Sequence, residues 1–366
     1  MINIILPIIL AFVLSAIIAA IAIPYIVYLC KKYRIYDLPN ERKVHKRAIP
    51  RLGGLTFMPA TTVGLVGAIV LWMQITNIHF EFYISAFVMI AGAMVVYILG
   101  FIDDLRGLGA KLKFVIMFVA SSLLPFCNVT MDNLCGLFGV YELNPTVGYL
   151  ITVFFIMIVV NAVNLIDGID GLASGFSIIV LICYLFLFLM AKSYVFVFFC
   201  AALLGCVSVF FLFNMFGKEG KNKIFMGDAG SLFLGYVLAY LTIKYQLISS
   251  SDDNMHEAAI LTAFSMFIVP VCDLVRVAIC RFINKKPIFQ ADKRHIHHVL
   301  MTAGCSMHMA LSIILALVIF FVAFNYAMYQ LGVRMPFVLL CDVLIFALFH
   351  FVLYRITKRK RQLKHS

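Results

Sequence analysis

Residues 146–191 have the sequence TVGYLITVFFIMIVVNAVNLIDGIDGLASGFSIIVLICYLFLFLMA. The two apolar runs within it, 146–162 and 172–191, are close to the roughly 20 residues of helix that cross a bilayer. Four amide and carboxyl side chains recur at every third position around the turn between them: Asn161, Asn164, Asp167 and Asp170. The stretch therefore predicts two membrane helices joined by a short acidic turn.

The rest of the chain has the same apolar character. Of its 366 residues, 64% are hydrophobic and 13% are charged, whereas soluble domains are about half apolar and about 25% charged. The apolar runs predict eleven spans, near residues 3–29, 53–76, 84–102, 114–128, 146–162, 172–191, 194–214, 229–248, 257–280, 309–330 and 336–355. We therefore expect an all-α, polytopic integral membrane protein, folded as a single domain over residues 1–366.

The basic residues indicate how this domain is oriented. Eleven spans place the two termini on opposite faces. With a periplasmic N-terminus, 26 of the 29 Lys and Arg residues fall in or beside the inward loops, which is the positive-inside pattern. The C-terminus is then cytoplasmic, and every acidic cluster lies on the cytoplasmic side. The net charge of +12 is thus attributed to topology and to anionic membrane lipids, not to nucleic acid.

An acidic pair closes the third predicted span, in the sequence GFIDDLRGLG at residues 100–109. Adjacent side chains on a helix point about 100° apart. Asp103 and Asp104 are therefore expected to have two different roles, because a regular helix does not aim both at one ion. The alternative is a helix end that is simply solvated, although acids at a helix C-terminus oppose the macrodipole.

The polar residues of the 161–170 stretch share helix faces, because they are spaced three positions apart. Amide and carboxyl oxygens are the hard ligands that Mg²⁺ prefers, and Mg²⁺ also relies on water and substrate phosphates. The pattern indicates a Mg²⁺ cofactor, with Mn²⁺ as a substitute. The alternative is a polar stripe that only joins neighbouring helices.

Asp228 lies between glycines in FGKEGKNKIFMGDAGSLFLG, residues 216–235, where the eighth span begins. One interpretation is a helix N-cap, a position at which Asp is favoured. The other is a phosphate-binding helix end, since free N–H groups and the helix dipole attract anions. Three lysines just before it favour the second interpretation: Lys218, Lys221 and Lys223.

Two basic stretches complete the candidate site. KKPIFQADKRHIHHVLMTAG, residues 285–304, carries three histidines within four positions: His295, His297 and His298. No cysteine or carboxylate set completes a tetrahedral zinc site there, so an anion site that includes Arg294 is favoured over zinc or a solvated loop. RKVHKRAIPRLGG, residues 42–54, contains His45 and Arg51, and orientation of the chain explains part of its charge.

Ten cysteines would suggest a disulfide framework, but most lie within apolar runs and none forms a CxxC pair. They are interpreted as small buried apolar residues. Cys127 and Cys135, near an outward loop, are the pair that could form a disulfide.

Taken together, GFIDD, NAVNLIDGIDGLASG, MGDAGSLFLG and RHIHH resemble the polyprenyl-phosphate N-acetylhexosamine-1-phosphate transferase family, in the same order and over nearly the whole chain. The HIHH form resembles the branch that starts surface polysaccharides such as O-antigen more than the peptidoglycan branch. The resemblance implies a bacterial inner-membrane enzyme that transfers HexNAc-1-phosphate, GlcNAc-1-phosphate first among the candidates, from a UDP-sugar to undecaprenyl phosphate. The products would be the lipid diphosphosugar and UMP.

The resemblance also implies roles for individual residues. Asn164 and Asp228 would be Mg²⁺ ligands, and Asp103 and Asp104 would lie beside the lipid phosphate. Catalytic acids near the nucleotide would be Asp167 and Asp170. Substrate contacts would come from the basic and polar motif residues: His45, Arg51, Lys113, Asn161, Arg294, His295, His297 and His298.

Phosphoryl transfer depends mainly on positioning and charge neutralisation. The lipid phosphate is largely dianionic at pH 7, because its second pKa is about 6. We therefore expect Asp103 to orient the nucleophile and not to act as an obligatory base, with direct attack and no covalent aspartyl intermediate.

Three alternative functions and one assembly state stay open at this point. They are transfer of phospho-N-acetylmuramoyl-pentapeptide, CDP-alcohol phosphotransfer, secondary transport and homodimer formation. DGIDGLASG matches only the opening of the CDP-alcohol motif. Transporters place acids near the membrane midplane, whereas the acids here cluster at predicted cytoplasmic helix ends.

Overall fold

The computed structural model describes residues 2–37, 48–77, 84–137, 139–249, 261, 263–287 and 294–365. Helices dominate this part of the chain. They are α1 (Ile2–Tyr33), α2 (Phe57–Thr76), α3 (Ile84–Arg106), α4 (Ala110–Ser122), α5 (Pro145–Ile166), α6 (Leu172–Met190), α7 (Tyr194–Phe216), α8 (Gly227–Ser249), α9 (Ile268–Ile283), α10 (Ile296–Thr302), α11 (Met307–Gln330) and α12 (Met335–His365).

Ten helices in the described ranges are long and apolar enough to cross a membrane, namely α1 to α8, α11 and α12. A 3-10 turn, Gly53–Thr56, precedes α2, and another, Pro125–Cys127, extends the 13-residue α4 to spanning length. The all-α polytopic prediction is confirmed. The ninth predicted span, 257–280, lies partly outside the described residues, and α9 covers its second half.

Helix α8 lies at the centre of the bundle, packed between α3 and α5. In its most apolar stretch of 18 residues, 83% of the residues are buried, compared with 22% in the corresponding stretch of α1. The outward side chains of α1 are apolar and exposed, as expected for a lipid-facing surface. A central helix needs close neighbours on both sides. A Cβ atom at Gly100 of α3 would lie 2.4 Å from the backbone oxygen of Asp228, so only glycine lets α3 approach the start of α8 this closely.

Two small antiparallel ribbons lie outside the helices. Strands β1 (Tyr36–Asp37) and β2 (Ile49–Pro50) pair on the face where α1 ends. Strands β3 (Asn133–Leu137) and β4 (Val140–Glu142) pair between α4 and α5. The second ribbon lies between the fourth and fifth predicted spans. Cys127 is unpaired in the structure, and the side chain of Cys135 lies outside the described residues.

Helix ends show which face carries which terminus. Lys31, at the end of α1, donates to the carbonyl oxygens of Gly220 and Lys221, at 2.9 and 2.8 Å, in the loop before α8. Helix α1 has 32 residues, so it spans about 48 Å at 1.5 Å per residue and begins at the opposite face. At the other terminus, Lys360 of α12 lies beside Gly304, between α10 and α11. His298 and Met307, on either side of Gly304, line the same cavity as Asp37 and Lys223, which lie beside the end of α1. The C-terminal helix therefore ends on the face where α1 ends.

We predict that this shared face is cytoplasmic. GFP fused after Ser366 should fluoresce, because GFP matures in the cytoplasm, and a periplasmic reporter at the same site should be silent. A dark but stably expressed GFP fusion together with an active periplasmic reporter would contradict the orientation.

Candidate active site

A cavity of about 480 Å³ opens at the face where α3, α5 and α7 end and α8 begins. Its lining brings together segments that are far apart in the sequence. The polar residues that line it are Asp37, Arg51, Asp104, Asp167, Asp170, Asn214, Glu219, Lys223, Asp228 and His298. All four predicted acidic and histidine motifs therefore contribute residues to one site, on the face predicted to be cytoplasmic.

The two members of the acidic pair point to different partners, as expected from their spacing on α3. Asp104 is 3% exposed and accepts hydrogen bonds from the backbone N–H groups of Asp228 (3.0 Å) and Ala229 (3.1 Å). These are among the first amides of α8, which have no partner within their own helix. Asp104 thus caps α8 from another helix. The N-cap interpretation of Asp228 is wrong, because Asp228 lies inside the first turn and its side chain points elsewhere.

Asp103 organises a different part of the site. Its Oδ1 atom accepts from the N–H of Leu108 at 2.5 Å, which closes the turn after α3. Its Oδ2 atom is ion-paired with Lys113 of α4. The ammonium group of Lys113 also lies 2.9 Å from Oδ2 of Asp228. One lysine therefore bridges two carboxylates on two helices, and it is 26% exposed.

Asn164 and Asp228, the two predicted metal ligands, are in direct contact. The Nδ2 group of Asn164 donates to Oδ1 of Asp228 at 3.1 Å and to Oγ of Ser231 at 2.7 Å. Among the described residues, no three His, Cys, Asp or Glu side chains form a metal-binding group. Mg²⁺ commonly uses one or two carboxylates and completes its shell with water and phosphate, so this donor set fits Mg²⁺ bound together with a substrate.

The acidic turn after α5 supplies further charge. Asp170 forms a 2.6 Å ion pair with Lys223, and both side chains are 11% exposed. Asp167 lines the cavity. Its burial there raises its pKa to about 8, with further contributions from the carboxylates of Asp228, Asp104 and Asp170. This accumulation of negative potential is what a divalent cation would neutralise, which supports the fit to Mg²⁺.

Asn161 does not reach these residues through any hydrogen bond in the described structure. Its amide donates at 2.7 Å to the carbonyl oxygen of Met157, one turn back along α5. In the every-third-residue pattern, Asn164 contacts Asp228, and Asp167 and Asp170 line the cavity, whereas the first member, Asn161, contacts its own helix.

The three histidines have three different environments. His298 lines the cavity. His297 is 2% exposed, and a Cβ atom on Gly168 would lie 2.3 Å from its Nε2 atom. Burial lowers the pKa of His297 to about 3, with His298 and His295 adding to the effect, so its ring is neutral. The Nδ1 atom of His295 lies 2.9 Å from Oδ2 of Asp273 on α9.

The N-terminal basic segment enters the site through a strand-like contact. The N–H of Phe225 donates to Pro50, and the carbonyl oxygen of Phe225 accepts from Gly53, at 2.8 and 2.9 Å. These bonds hold Arg51 against the cavity, where its guanidinium lies 3.9 Å from the carboxylate of Asp37. His45 lies outside the described residues, and Arg294 lies just before α10, outside the cavity lining.

Comparison with known proteins identifies the family. Residues 86–246 match glycosyl transferase family 4. A probable undecaprenyl-phosphate N-acetylglucosaminyl 1-phosphate transferase of Bacillus subtilis (strain 168) is 31% identical over 353 residues, which cover 94% of this chain and 90% of the relative. The chain belongs to glycosyl transferase family 4.

Other family 4 transferases are similar over a shorter stretch. Undecaprenyl-phosphate alpha-N-acetylglucosaminyl 1-phosphate transferases of Yersinia pestis and Escherichia coli (strain K12) are each 28% identical. The matches cover 77% and 78% of this chain and 74% of each relative.

Three residues of this family 4 transferase were not predicted from its sequence. Ser231 holds the amide of Asn164. Asn214 accepts from the N–H of Gly171 at 2.7 Å and donates to the carbonyl oxygen of Ile224 at 2.9 Å, which joins the two loops of the cavity. Asp273 supports His295. Asn214 and Asp273 are isolated polar residues within apolar runs, and such residues are functional candidates by default.

The raised pKa of Asp167 predicts a specific pH dependence of stability. Between the ordinary carboxyl pKa and about 8, the folded state retains a proton that the unfolded state has lost, so stability falls as pH rises through this window. In metal-free detergent, Asp167→Asn should therefore show a smaller decrease in Tm between pH 5 and pH 8 than the wild type.

Asp132→Asn is the matched control for this measurement, because Asp132 is exposed and lies between α4 and β3, outside the cavity. Its Tm should follow the wild-type pH profile. An Asp167→Asn profile parallel to that of the wild type would contradict the assigned pKa.

Proposed function

We propose that the protein transfers GlcNAc-1-phosphate from UDP-GlcNAc to undecaprenyl phosphate, forming the lipid diphosphosugar and UMP, as the first step of a cell-surface polysaccharide. The observation that carries the proposal is the bridge of Lys113 between Asp103 and Asp228 beside Asn164. The ammonium group of Lys113, two carboxylates and the amide of Asn164 lie together there, which supports a site for phosphate groups and a cation. A site of this kind suits phosphate groups of a lipid and of a nucleotide at the same time.

The names of the relatives support the choice of substrates. The Bacillus subtilis relative, which matches over 90% of its length, is named as a probable undecaprenyl-phosphate N-acetylglucosaminyl 1-phosphate transferase. That name gives the acceptor lipid and the sugar phosphate of the relative, and we extend both to this chain. The names do not give the donor, and we choose a UDP-sugar. A sugar-1-phosphate group is activated as a nucleoside diphosphate sugar, and its transfer releases the nucleoside monophosphate.

Mg²⁺ would be held by Asn164 and Asp228, with Mn²⁺ as a substitute because it accepts the same oxygen ligands. Bound there, it would neutralise charge on the pyrophosphate and stabilise the departing phosphate of UMP. Asp167 lies close enough to the other carboxylates for their charge to raise its pKa. A bound cation would lower that pKa again and favour the ionised carboxylate.

The chain itself supplies positioning and shielding. In the proposed reaction an oxygen of the lipid phosphate forms a bond to the sugar-bearing phosphorus, and the bond from that phosphorus to the bridging oxygen breaks. UMP leaves with the bond's electron pair. Lys113 would reduce repulsion between the two phosphate groups, and its ion pair with Asp103 fixes its position. Both oxygens of Asp103 are already engaged, which supports an orienting role over a base.

The alternatives receive less support. Transfer of phospho-N-acetylmuramoyl-pentapeptide would use the same reaction centre, and the names of the relatives favour GlcNAc over it. Secondary transport would require alternating access to both faces through a midplane site. The cavity of this protein instead lies at one end of the bundle, between helix termini.

The direct test is incubation of purified protein in detergent with undecaprenyl phosphate, Mg²⁺ and a panel of UDP-sugars that includes UDP-GlcNAc, UDP-GalNAc and the muramoyl-pentapeptide donor. Lipid products are read by mass spectrometry and UMP by chromatography. We expect one lipid diphosphosugar with UDP-GlcNAc and one UMP per lipid product. Absence of any lipid product across the panel, in folded protein, would overturn the proposal.

The metal assignment predicts the behaviour of Asp228→Asn in the same assay. The substitution keeps an oxygen for Asn164 but removes a negative charge, so turnover should fall at least about 10²-fold, on the scale of one lost transition-state contact. The Mg²⁺ concentration for half-maximal rate should rise. Asp132→Asn controls for a generic loss of one carboxylate, and near-normal turnover of folded Asp228→Ala would contradict the assignment.

The role of Asp103 predicts a pH–rate profile. If the ionisation of the lipid phosphate supplies the nucleophile, the rate should decrease as the pH falls below about 6, which forms the acid limb of the profile. It should persist in Asp103→Asn at reduced height, because asparagine still accepts from the N–H of Leu108 but loses the charge that holds Lys113. The profile is measured at saturating UDP-sugar. If the residual activity of Asp103→Asn no longer decreases below about pH 6, Asp103 is the base and the orienting role is wrong.

A further inference from the structure

Asp273 is an almost completely buried carboxylate outside the cavity, 1% exposed, on α9. Three groups donate to it. They are Nδ1 of His295 at 2.9 Å, the backbone N–H of Ile296 at 3.1 and 3.2 Å to its two oxygens, and Nη2 of Arg276 at 2.7 Å. A buried charge is stable only when it is paired and hydrogen-bonded. The carboxylate of Asp273 is paired and hydrogen-bonded chiefly by His295 and Ile296, where the histidine segment begins.

The contact fixes the protonation pattern of the His295 ring. A carboxylate only accepts hydrogen bonds, so the ring nitrogen that faces it, Nδ1, must carry the proton. The other ring nitrogen, Nε2, is then the atom left for a ligand, and the orientation of the ring is set at the same time. A carboxylate behind a histidine performs this function in many catalytic and metal sites.

The same carboxylate sets the position of the segment that carries the histidines. The N–H of Ile296 begins α10, a helix of seven residues, and Asp273 satisfies it. Arg276, bound to Asp273, also donates to the carbonyl oxygen of Arg294. His350 of α12 completes the surroundings, with Nε2 at 4.0 Å from Asp273. The charged and titratable groups around His295 are thus Asp273 and Arg276 of α9, the neighbouring Arg294, His297 and His298 of α10, and His350 of α12.

We propose that Asp273 is a positioning residue for the transfer reaction and that it acts through His295. This inference rests on the proposed function. Asp273 touches no substrate in this account. It holds His295 in one tautomer and one orientation, so that the ring does not have to reorganise when the phosphates bind. His297, packed against Gly168, and His298, in the cavity wall, are then presented by a segment whose start is fixed.

Asp273→Asn separates this role from a purely structural one. The retained oxygen of asparagine can still accept from Arg276 and Ile296, which both contact Oδ1. The amide NH₂ group replaces Oδ2 opposite His295, where it must donate to Nδ1. The substitution also loses the 3.2 Å bond from the N–H of Ile296 to Oδ2, while the 3.1 Å bond to Oδ1 remains. The fold and the start of α10 are therefore kept, whereas the tautomer of His295 is inverted.

The expected result for Asp273→Asn is a 10- to 100-fold decrease in kcat, roughly the effect of losing a residue that orients a ligand. KM for the UDP-sugar should change less than about threefold and Tm should stay within a few degrees of the wild type, because the supporting bonds remain. Asp132→Asn, a carboxylate-to-amide change far from this cluster, is the control and should leave both constants unchanged.

A double-mutant cycle with His295→Asn tests whether the effect passes through the ring. Asparagine at 295 can keep a donor toward Asp273 but has no Nε2. If Asp273 acts through His295, adding Asp273→Asn to His295→Asn should cause no further loss of kcat. Multiplicative losses, or wild-type kcat in Asp273→Asn, would overturn the inference.

A second variant covers the case in which Asp273→Asn does not fold. His295→Gln offers a donor near the Nε2 position but loses the bond to Asp273, and it should lose at least about tenfold in kcat. Activity within twofold of the wild type would overturn the inference. Turnover of the wild-type protein is established first with undecaprenyl phosphate and UDP-GlcNAc. If the wild type forms no product, the proposed function is rejected. If the wild type is active and the variants are unaffected, only the role of Asp273 is rejected.

Discussion

Backbone N–H groups at the start of a helix have no partner within that helix, and in α8 they face the protein interior instead of water. Satisfying them from elsewhere in the fold is the constraint on which the site depends. Asp104 accepts from the N–H groups of both Asp228 and Ala229. For its carboxylate to reach them, α3 must end beside the start of α8, and Gly100 permits that approach.

Once α8 is fixed in this way, the other groups of the site have little freedom. Asp228 projects from the capped turn toward Asn164 of α5 and Lys113 of α4. Lys113 in turn holds Asp103, the neighbour of the cap on α3. The contacts thus form a closed loop through α3, α8 and α4, to which α5 is joined by Asn164. Such an arrangement holds charged groups in place before substrates arrive, which is how phosphoryl-transfer sites lower their barrier.

Concentrating carboxylates in this way has a cost in stability. Asp167 has its pKa raised to about 8 because it is buried near three other acids, so the empty cavity tolerates its negative charge poorly. Lys113 and Lys223 offset part of the charge by direct ion pairs. A cation bound together with substrate can neutralise the negative charge that these ion pairs leave. Strain of this kind, stored where ligands bind, is typical of functional sites and is compensated by the well-packed helices around them.

Sequence reasoning reached the fold class and much of the site because both depend on patterns that are local in the chain. Apolar run length predicted eleven spans, and in the described residues ten helices are long and apolar enough to span. Helical spacing correctly predicted that Asp103 and Asp104 would diverge. It could not reveal that Asp104 caps α8, because that contact joins positions 124 and 125 residues apart. The ion pair of Asp170 with Lys223 and the support of His295 by Asp273 are of the same kind.

The central claim, that Asp104 builds the site by capping α8, can be tested by hydrogen–deuterium exchange of the peptide that contains residues 227–231. In metal-free detergent, Asp104→Ala should lose protection at the amides of Asp228 and Ala229. Asp103→Ala, whose partners are Leu108 and Lys113, should leave that peptide protected. Unchanged exchange of this peptide in folded Asp104→Ala would contradict the account.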